Sequence, residues 1–231
     1  MKIAIITPYY QEDAATLNRC CNSVVSQTYK NLQHIMVADG DAHPLIKQRS
    51  NVDHIILPRC HNDAGATPRA IGAISAFSQG CDAVAFLDVD NTLEPNHIEL
   101  MKNLIDYHDV ITATRHICTR TGEKLFVDTV ESNGNDFCDT NCLFLTRSVL
   151  PLLTYWITDP GYRLLSDRQF WLAILQTKLK RTHCTIPTVN YYSRWAWHYQ
   201  HAGQVPPSDS VWLGYDQNGQ LTTNRHINIL Q

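Results

Sequence analysis

The sequence predicts an α/β fold, in which a mostly parallel sheet is flanked by helices and followed by a smaller, irregular region. Short apolar runs suited to buried strands alternate with segments whose apolar residues recur at helical spacing. Glycine, proline and aspartate lie at the boundaries between these segments. The alternation is regular in the first half of the chain and weaker in the second half.

The first half of the chain alternates strands and helices in order. Apolar runs predict strands at Ile3–Thr7, His34–Ala38, His54–Leu57, the run that ends at Asp88, and Asp109–Ala113. Helical spacing predicts a helix that ends near Gln27, a second that stops at Gly80, and a third from about Pro95 to Ile105. Strands separated by helices favour parallel pairing, because the crossover returns the chain in the same direction.

The second half contains fewer regular segments. It predicts a hairpin around Thr121-Gly122, a strand at Cys142–Leu145, a helix at Asp167–Gln176 and an extended run at Thr185–Tyr192. From Gly203 onward the chain is rich in Pro, Ser, Asn and Gln and has little periodicity. We therefore expect the tail to be a loop-rich cover or a partly disordered end.

Composition narrows the classes of protein to consider. With 44% hydrophobic and 18% charged residues, the 231-residue chain has an ordinary globular composition and can bury a sizeable core. A formal net charge of -3 gives no electrostatic reason to expect a nucleic-acid partner. No apolar stretch approaches the ~20 residues that span a bilayer, so no transmembrane segment is expected. The N-terminal run lacks a small-residue cleavage site and is interpreted as a first strand.

The eight cysteines include no CxxC pair, so zinc-site spacing is absent. A chain of this length does not need disulfides to fold. Several of the cysteines, such as Cys20 and Cys81, lie in apolar surroundings, where cysteine behaves as a small hydrophobe. These observations favour reduced thiols in a cytoplasmic protein.

The segment AVAFLDVDNT, residues 83–92, carries the strongest chemical signal. An apolar run suited to a buried strand ends in two carboxylates, Asp88 and Asp90. Ligands bind at the carboxyl ends of strands in open α/β sheets. Acids spaced i and i+2 on extended chain point the same way, with roughly 6.6 Å between their Cα atoms. This spacing suits one acid on a metal and the other on a ligated water or a substrate hydroxyl.

A calcium loop of the EF-hand type does not account for the pair. Counted from Asp88, the sixth position must be glycine for the sharp turn, yet it is Leu93, and the eighth is Pro95. The preceding segment is a predicted strand, where that motif requires a helix. We reject this interpretation.

A phosphatase of the haloacid-dehalogenase type is a stronger alternative. FLDVDNTL resembles the first motif of that family, with Asp88 as nucleophile and Asp90 as acid/base. The family also carries a downstream acidic pair that completes a Mg²⁺ site, and no DD or GDxxxD follows Asp90. Its first motif normally opens the fold, whereas three predicted strands precede the acids here.

Five segments in order resemble the family 2 glycosyltransferases with the GT-A fold. The opening is similar in IITPYYQEDAATLNRCCNSVVSQTYKNLQHIMVADGD. HNDAGATPRAIGAISAFSQG is similar to the family's N-x-G-x-x-x-A-R-N-x-G-x-x-x-A-x-G. The acid pair matches its DxD, and DTNCLFLTRSVL and SDRQFW follow in the expected order. The resemblance covers about residues 1–175, and no GxGxxG dinucleotide fingerprint occurs.

The resemblance implies an inverting transferase that moves a sugar from a nucleotide-diphosphate donor, expected to be a UDP-sugar, to a hydroxyl. The acceptor is a glycan, a lipid-linked molecule or a small molecule, and the cofactor is Mn²⁺ or Mg²⁺ at the DxD. Residues 1–110 are expected to bind the nucleotide sugar, 111–202 to form the acceptor-binding and catalytic half of the same domain, and 203–231 to form the tail. A catalytically silent nucleotide-sugar-binding protein remains a second alternative.

By the same resemblance, several residues are expected to surround the donor nucleotide. Thr7, Pro8 and Tyr10 would flank the base, and Glu12 is the acid expected near the nucleotide. A carboxylate only accepts hydrogen bonds, so Asp39 suits a base N–H such as uracil N3–H. Asp39 also lies in a DGD sequence, which is typical of a plain turn.

Other residues are expected at the diphosphate and the cation. Arg69 can bind the diphosphate or sugar hydroxyls through two N–H groups, although Ala70 replaces the asparagine that commonly follows this arginine. Asp90 is the expected direct metal ligand, and Asp88 is expected near the ribose or on a ligated water. A C-terminal histidine completes the metal shell in many GT-A enzymes, and His198 is slightly favoured over His201 for this role.

Asp167 is the expected catalytic base. A sugar hydroxyl is a poor nucleophile at neutral pH, so a positioned carboxylate must take its proton as it attacks the anomeric carbon. The family usually has Glu-Asp at this position, and this chain keeps the aspartate in Ser166-Asp167. Both residues also suit the start of a helix, so a capping role is the plain alternative.

Overall fold

A single mixed sheet organises the protein, whose computed structural model describes residues 1–157, 165–215 and 221–223. Its strands are β1 (Ile3–Tyr9), β2 (Leu32–Ala38), β3 (Asp53–Ile56), β4 (Ala83–Phe86), β5 (Thr92–Leu93), β6 (Val110–Cys118), β7 (Lys124–Asp128), β8 (Leu143–Thr146) and β9 (Arg181–Tyr192). Their order is β3-β2-β1-β4-β8-β6-β9-β5, and β7 pairs with β6.

Six helices accompany this sheet within the described ranges. They are α1 (Ala14–Val25), α2 (Pro44–Lys47), α3 (Ala66–Ser78), α4 (His97–Asn103), α5 (Ser166–Leu175) and α6 (Ala196–His201). Short 3-10 segments lie at Ile105–Tyr107, Thr140–Cys142 and Arg147–Trp156. Two further strands, β10 (Leu213–Tyr215) and β11 (Leu221–Thr223), pair antiparallel with each other.

The predicted α/β fold with a mostly parallel sheet is confirmed. Strands β3, β2, β1 and β4 are parallel neighbours, and β6 and β9 are parallel as well. Strand β8 runs antiparallel between β4 and β6, so it joins the two parallel blocks into one sheet. The periodicity of the sequence did not reveal the position of β8, because its pairing with β4 joins residues about sixty positions apart, such as Ala83 and Thr146.

The predicted strands and helices all lie at the expected places, with boundaries displaced by a few residues. β6 is longer than the predicted Asp109–Ala113, because its far end pairs with β7 in the predicted hairpin and with β9. Several short segments were not predicted, among them α2, α6, β5 and the 3-10 segment Arg147–Trp156. After Gly203 the described residues of the tail are irregular apart from β10 and β11, which form a small two-stranded sheet that was not predicted. Residues 216–220 and 224–231 of that tail lie outside the described residues.

The register of the sheet brings the polar strand ends together. All seven residues of β1 are buried, and Tyr9 at its end pairs with Ala38 at the end of β2. Ile6 pairs with Phe86 at the end of β4. Because these strands are parallel, the residues that follow each of them emerge at one edge, where α/β proteins bind ligands.

Helix α3 packs directly on β1 and β2 through Gly72. A Cβ atom at this glycine would lie 2.5 Å from Cγ2 of Ile6 and 3.0 Å from Cγ2 of Val37. Both side chains are fully buried in the strands, so neither can yield easily. This close approach fixes the start of α3, which carries Arg69, against the carboxyl ends of the strands.

A buried arginine links several segments in the second half of the chain through ion pairs. Arg115 on β6 is 1% exposed and donates to three carboxylates: Asp128 at 2.8 Å, Asp139 at 2.7 Å and Glu131 at 2.6 Å. Its guanidinium also lies 4.4 Å from the ring centre of Tyr191 on β9. An unpaired buried guanidinium would be very costly, so the three acids and the segments that carry them are held in place.

None of the helices in the described part of the chain is long and apolar enough to cross a bilayer. All eight cysteines are free thiols, and only Cys60 among them is exposed.

Replacing Arg115 tests whether this network stabilises the fold. Arg115→Met keeps most of the side-chain volume but leaves three acids without their buried partner, so the free energy of unfolding should fall by about 3–5 kcal/mol. The matched control is Arg120→Met, which removes the partly exposed ion pair with Asp209 and should change stability by less than about 1 kcal/mol. Urea unfolding followed by circular dichroism measures both. Equal effects of the two changes would contradict the assigned role of Arg115.

Candidate active site

A cleft of about 450 Å³ opens at the carboxyl ends of β1, β2 and β4. We call it the strand-end cleft. Among the residues that line it are seven that the sequence singled out: Pro8, Tyr10, Glu12, Asp39, Arg69, Asp88 and Asp90. The fold thus collects side chains from four separate segments in one cavity. Its size suits a ligand of nucleotide dimensions.

Asp88 is held on both of its carboxylate oxygens. Oδ1 accepts a hydrogen bond from Nη2 of Arg69, and Oδ2 accepts one from Nδ2 of Asn141 at 3.0 Å. The backbone N–H of Asp88 donates to Oδ1 of Asn141 at 2.6 Å. Asn141 therefore contacts both the backbone and the side chain of Asp88.

The side chain of Asn141 is in turn oriented by Asp139. It is fully buried, and its Nδ2 and backbone N–H donate to Oδ1 of Asp139 at 2.8 and 2.9 Å. Oδ2 of Asp139 accepts from Nη1 of Arg115. A continuous chain of hydrogen bonds therefore runs from the buried arginine to Asp88 in the cleft.

Within the acid pair, Asp90 has a carboxyl group whose pKa is raised. Burial raises its pKa most and the neighbouring Asp88 adds to this, so the pKa reaches about 6 despite the opposing charges of Arg194 and Arg19. Nη2 of Arg19 donates to the backbone carbonyl of Asp90 at 2.9 Å. A partly buried carboxylate beside a second acid gains stability from a cation, so Asp90 is suited to bind one.

The donor set around Asp90 suits a hard divalent cation that shares its shell with a ligand. No cluster of three or more His, Cys, Asp or Glu side chains able to hold a metal occurs within residues 1–157, 165–215 and 221–223. Magnesium-type sites commonly use one or two carboxylates and complete the shell with substrate phosphates and water. Asp90, with Asp88 beside it, fits that arrangement and does not fit an all-protein metal cage.

Asp39 is surrounded by donors from the loop after β3. The backbone N–H of His61 donates to its two oxygens at 3.1 and 3.0 Å, and Nδ1 of the His61 ring lies 2.6 Å from Oδ1. Gly40, with φ of 99°, brings the chain against this loop, where a Cβ would lie 2.7 Å from the backbone nitrogen of Cys60. These contacts fix the carboxylate at the wall of the cleft.

Tyr10 and Glu12 lie just after β1 and line the cleft. The backbone N–H of Tyr10 donates to Oε2 of Glu12 at 2.5 Å, and the Tyr10 ring is 43% exposed. Burial, with a smaller contribution from Asp90, raises the pKa of Glu12 to about 7, although the backbone N–H of Tyr10 and the charge of Arg194 oppose the shift. An exposed ring beside a cavity can stack on a planar ligand.

The loop before α3 carries unusual backbone conformations. Asn62 and Ala64 have φ of 51° and 54°, and Gly65 has φ of 82°. Nη1 of Arg69 donates to the carbonyl of Ala64 at 2.8 Å, and a Cβ at Gly65 would lie 3.1 Å from the Pro8 ring. Non-glycine residues in the left-handed region are costly, and such strain is concentrated at functional sites.

Asp167 lies in the first turn of α5 and is partly buried. Its Oδ1 accepts from the backbone N–H of Arg168 at 2.7 Å, and Leu165, not an acid or serine, occupies the N-cap position. Burial raises its pKa to about 6, with Asp139 adding to the shift, and the Arg168 N–H and the charges of Arg168 and Arg69 oppose it. Asp167 is therefore electrostatically coupled to the groups around Asp88.

Three expected site residues, Asp167, Thr7 and His198, are not among those that line the cleft. Thr7 is fully buried, and its hydroxyl pairs with Nε2 of His34 at 2.9 Å, so it supports the cleft from beneath. His198 is 1% exposed; its Nδ1 lies 2.5 Å from Oγ of Ser193, and its Nε2 lies 3.5 Å from Glu131. The contacts of His198 are with Ser193 and Glu131, and its role in a metal shell with Asp90 stays a prediction. Glu131 also pairs with Arg115, so His198 lies beside the group of acids that surrounds that arginine.

Sequence reasoning missed Arg194, which lines the cleft, and Asn141, which is buried and contacts Asp88. Arg194 follows β9 and lines the cleft, with its charge acting on Glu12 and Asp90. Asn141 lies in DTNCLFLTRSVL, and Arg194 follows the predicted extended run Thr185–Tyr192. Nothing local to those segments reveals that β8 and β9 carry them to the acid pair.

The chain belongs to glycosyl transferase family 2, whose family model matches residues 4–150, more than half of the chain. The matched segment contains every cleft residue that the sequence singled out, from Pro8 to Asp90. It ends before Asp167 and Arg194.

Curated relatives agree with this membership. The chain is 29% identical over 129 residues to glycosyltransferase GlyA of Streptococcus pneumoniae, which covers 54% of this chain and 18% of that protein. It is 26% identical over 102 residues to succinoglycan biosynthesis protein ExoW of Rhizobium meliloti, covering 42% of this chain and 32% of that one. The chain thus spans well under half the length of these relatives.

Solved structures share the fold. Crystal structures of S. aureus TarS 1-349, one in complex with UDP, align over 87% of this chain and 63% of theirs. The UDP complex has a TM-score of 0.64 at 14% sequence identity. At that identity the similarity establishes the GT-A type of architecture.

The raised pKa of Glu12 predicts a pH-dependent stability. The folded protein holds a proton on Glu12 between its usual pKa of 4.5 and about 7, where the unfolded chain has lost it, so stability falls as pH rises through this window. Glu12→Gln removes this contribution and should raise the melting temperature at pH 8 but not at pH 4. The control Glu123→Gln removes the same charge from an exposed position. A difference from the unmutated protein that is the same at both pH values would contradict the prediction.

Proposed function

We propose that this protein is an inverting glycosyltransferase that moves a sugar from a nucleotide-diphosphate donor to a hydroxyl acceptor. The observation that carries the proposal is the strand-end cleft, where Asp88, Asp90 and Arg69 meet in a chain of family 2. The expected acceptor is a hydroxyl of a glycan, a lipid-linked molecule or a small molecule. The expected donor is a UDP-sugar.

Recognition of the base is assigned to the side of the cleft formed by Asp39. Its carboxylate accepts hydrogen bonds, so it favours a base that presents an N–H, as uracil does. Tyr10 would stack on the base, and Pro8 would pack against its edge. TarS has been crystallised with UDP and with UDP-GlcNAc, which supports a uridine nucleotide for a cleft on the same architecture.

The diphosphate is assigned to the side formed by Asp90 and Arg194. A divalent cation, Mn²⁺ or Mg²⁺, would be held by Asp90 and the diphosphate, and when bound it neutralises the charge of the departing nucleotide. Arg194 lines the cleft and carries a charge of the sign that a diphosphate requires. Arg69 holds Asp88 and lies within reach of the sugar-diphosphate end.

Asp167 is assigned as the general base. With a pKa raised to about 6, it is mostly deprotonated at neutral pH yet basic enough to accept the proton of an attacking hydroxyl. Attack by that hydroxyl on the anomeric carbon, opposite to the leaving nucleotide, forms the new glycosidic bond and inverts the configuration. The carboxylate takes the hydroxyl proton, and the nucleotide diphosphate leaves with the electron pair of the broken bond.

The phosphatase alternative is disfavoured by the contacts of Asp88. Arg69 and Asn141 fix the direction of its carboxylate, and no DD or GDxxxD follows Asp90 to complete the Mg²⁺ site that a phosphatase of this type requires. Three parallel strands also precede the acid pair in the chain. The silent nucleotide-sugar-binding protein differs from the proposal only in turnover, so an assay must separate the two.

A matched pair of variants tests the assigned roles. Asp90→Asn should weaken Mn²⁺-dependent binding of UDP, because the cation loses its protein ligand. Asp167→Asn should leave UDP affinity within about threefold but lower Mn²⁺-dependent release of sugar from UDP-sugars by about 10²–10⁴-fold, because only proton transfer is removed. Calorimetry measures binding, and release of UDP measures turnover.

The same experiments separate the alternatives. Binding of UDP-sugars without turnover by the unmutated chain would identify a silent binding protein. Hydrolysis of a generic phosphate ester, abolished by Asp88→Asn, would identify a phosphatase. Either result would overturn the proposed transfer reaction.

A further inference from the structure

Asn141 makes contacts that a simple turn residue does not need. Its amide binds Asp88 at two points, accepting from the backbone N–H at 2.6 Å and donating to Oδ2 at 3.0 Å. The side chain is fully buried at the junction of the Thr140–Cys142 segment with β8. A two-point contact restricts the rotation of the Asp88 carboxylate about its Cα–Cβ bond far more than a single hydrogen bond would.

The orientation of the amide is set by Asp139. Nδ2 of Asn141 donates to Oδ1 of Asp139 at 2.8 Å as well as to Asp88. If the amide were flipped, its oxygen would face two carboxylates and its NH₂ would face the backbone N–H of Asp88. Asp139 therefore selects one amide orientation, and Arg115 holds Asp139 through Nη1 at 2.7 Å.

Asn141 and Arg69 together leave Asp88 with a fixed direction. Arg69 donates to Oδ1 of Asp88, and Asn141 donates to Oδ2. Asp90 lies two residues further on and lines the cleft. The direction of the Asp88 charge thus sets the field that Asp90 and any bound cation experience.

We propose that Asn141 is a positioning residue for the cleft: it locks Asp88 so that the acid pair presents one defined arrangement to a cation and nucleotide diphosphate. The inference rests on the proposed function, because it assigns a purpose to the locked carboxylate. Asn141 acts through Asp88, and it need not touch the ligand itself. Removal of a residue that orients a ligand-binding group typically weakens metal affinity by about 10–100-fold.

A double-mutant cycle tests the proposal with a binding readout that does not need turnover. The affinity for UDP in the presence of Mn²⁺ is measured by calorimetry for Asn141→Ala, Asp88→Ala and the double variant. Asn141→Ala alone should weaken binding about 10–100-fold. In the Asp88→Ala background it should change binding less than about threefold, because the group through which it acts is gone.

Two further variants serve as controls. Combined with Tyr10→Ala, which removes the ring assigned to the base, the effect of Asn141→Ala should multiply in full, because Tyr10 and Asn141 share no hydrogen-bond partner. Asn141→Asp keeps the side-chain size but places an oxygen against Asp88 and Asp139, so it should weaken binding as Asn141→Ala does. Asn135→Asp introduces the same charge at an exposed position of the preceding loop and should leave binding unchanged.

The outcomes distinguish this inference from the function on which it rests. Circular dichroism melts establish that each variant is folded, and Asn141→Asp replaces Asn141→Ala in the cycle if the latter does not fold. Full multiplication of the Asn141 and Asp88 effects would show a general structural role and overturn the inference while leaving the proposed function intact. Absence of any UDP binding by the unmutated chain would overturn both.

Discussion

A guanidinium that water cannot reach constrains this protein more than any other group. Arg115 must find its partners inside the fold, and it finds them in acids carried by β7, the loop after it and the segment before β8. Because Asp139 is one of them, the requirement to neutralise Arg115 also orients Asn141 and so Asp88. A stability requirement in the second half of the chain is in this way transmitted to the carboxyl end of β4. The charge network and the cleft are parts of one hydrogen-bonded structure.

The cleft contains acidic side chains that are buried and close to one another, which is electrostatically unfavourable. Glu12 and Asp90 have raised pKa values, chiefly because they are buried and also because acids lie near them, with Asp90 acting on Glu12 and Asp88 on Asp90. The left-handed backbone at Asn62 and Ala64 adds local strain on the other side. A ligand that brings a cation and a diphosphate would reduce the electrostatic cost, because the cation would neutralise the acids of the cleft. Strain of this kind is typical of a site that is stabilised by what it binds.

Sequence reasoning could find the residues whose roles depend on local pattern. Asp39 and Asp88 follow apolar strands, and the register of a parallel sheet then brings such positions to one edge. It could not find Asn141 or Arg194, because their proximity to the acids depends on β8 entering antiparallel between β4 and β6 and on β9 lying beyond them. His198 was assigned by analogy with other GT-A enzymes. Its burial against Ser193 and Glu131 is a tertiary fact that no spacing in the sequence encodes.

The central claim is that one cleft binds both the nucleotide and the cation, with Asp90 as the protein ligand of the metal. A crystal structure with UDP and Mn²⁺ tests it most directly, because the anomalous signal of manganese locates the ion independently of the nucleotide. We expect the manganese peak within bonding distance of the Asp90 carboxylate, the diphosphate beside Arg194 and the base against Asp39. A manganese peak remote from Asp90, or UDP bound outside the strand-end cleft, would contradict the claim.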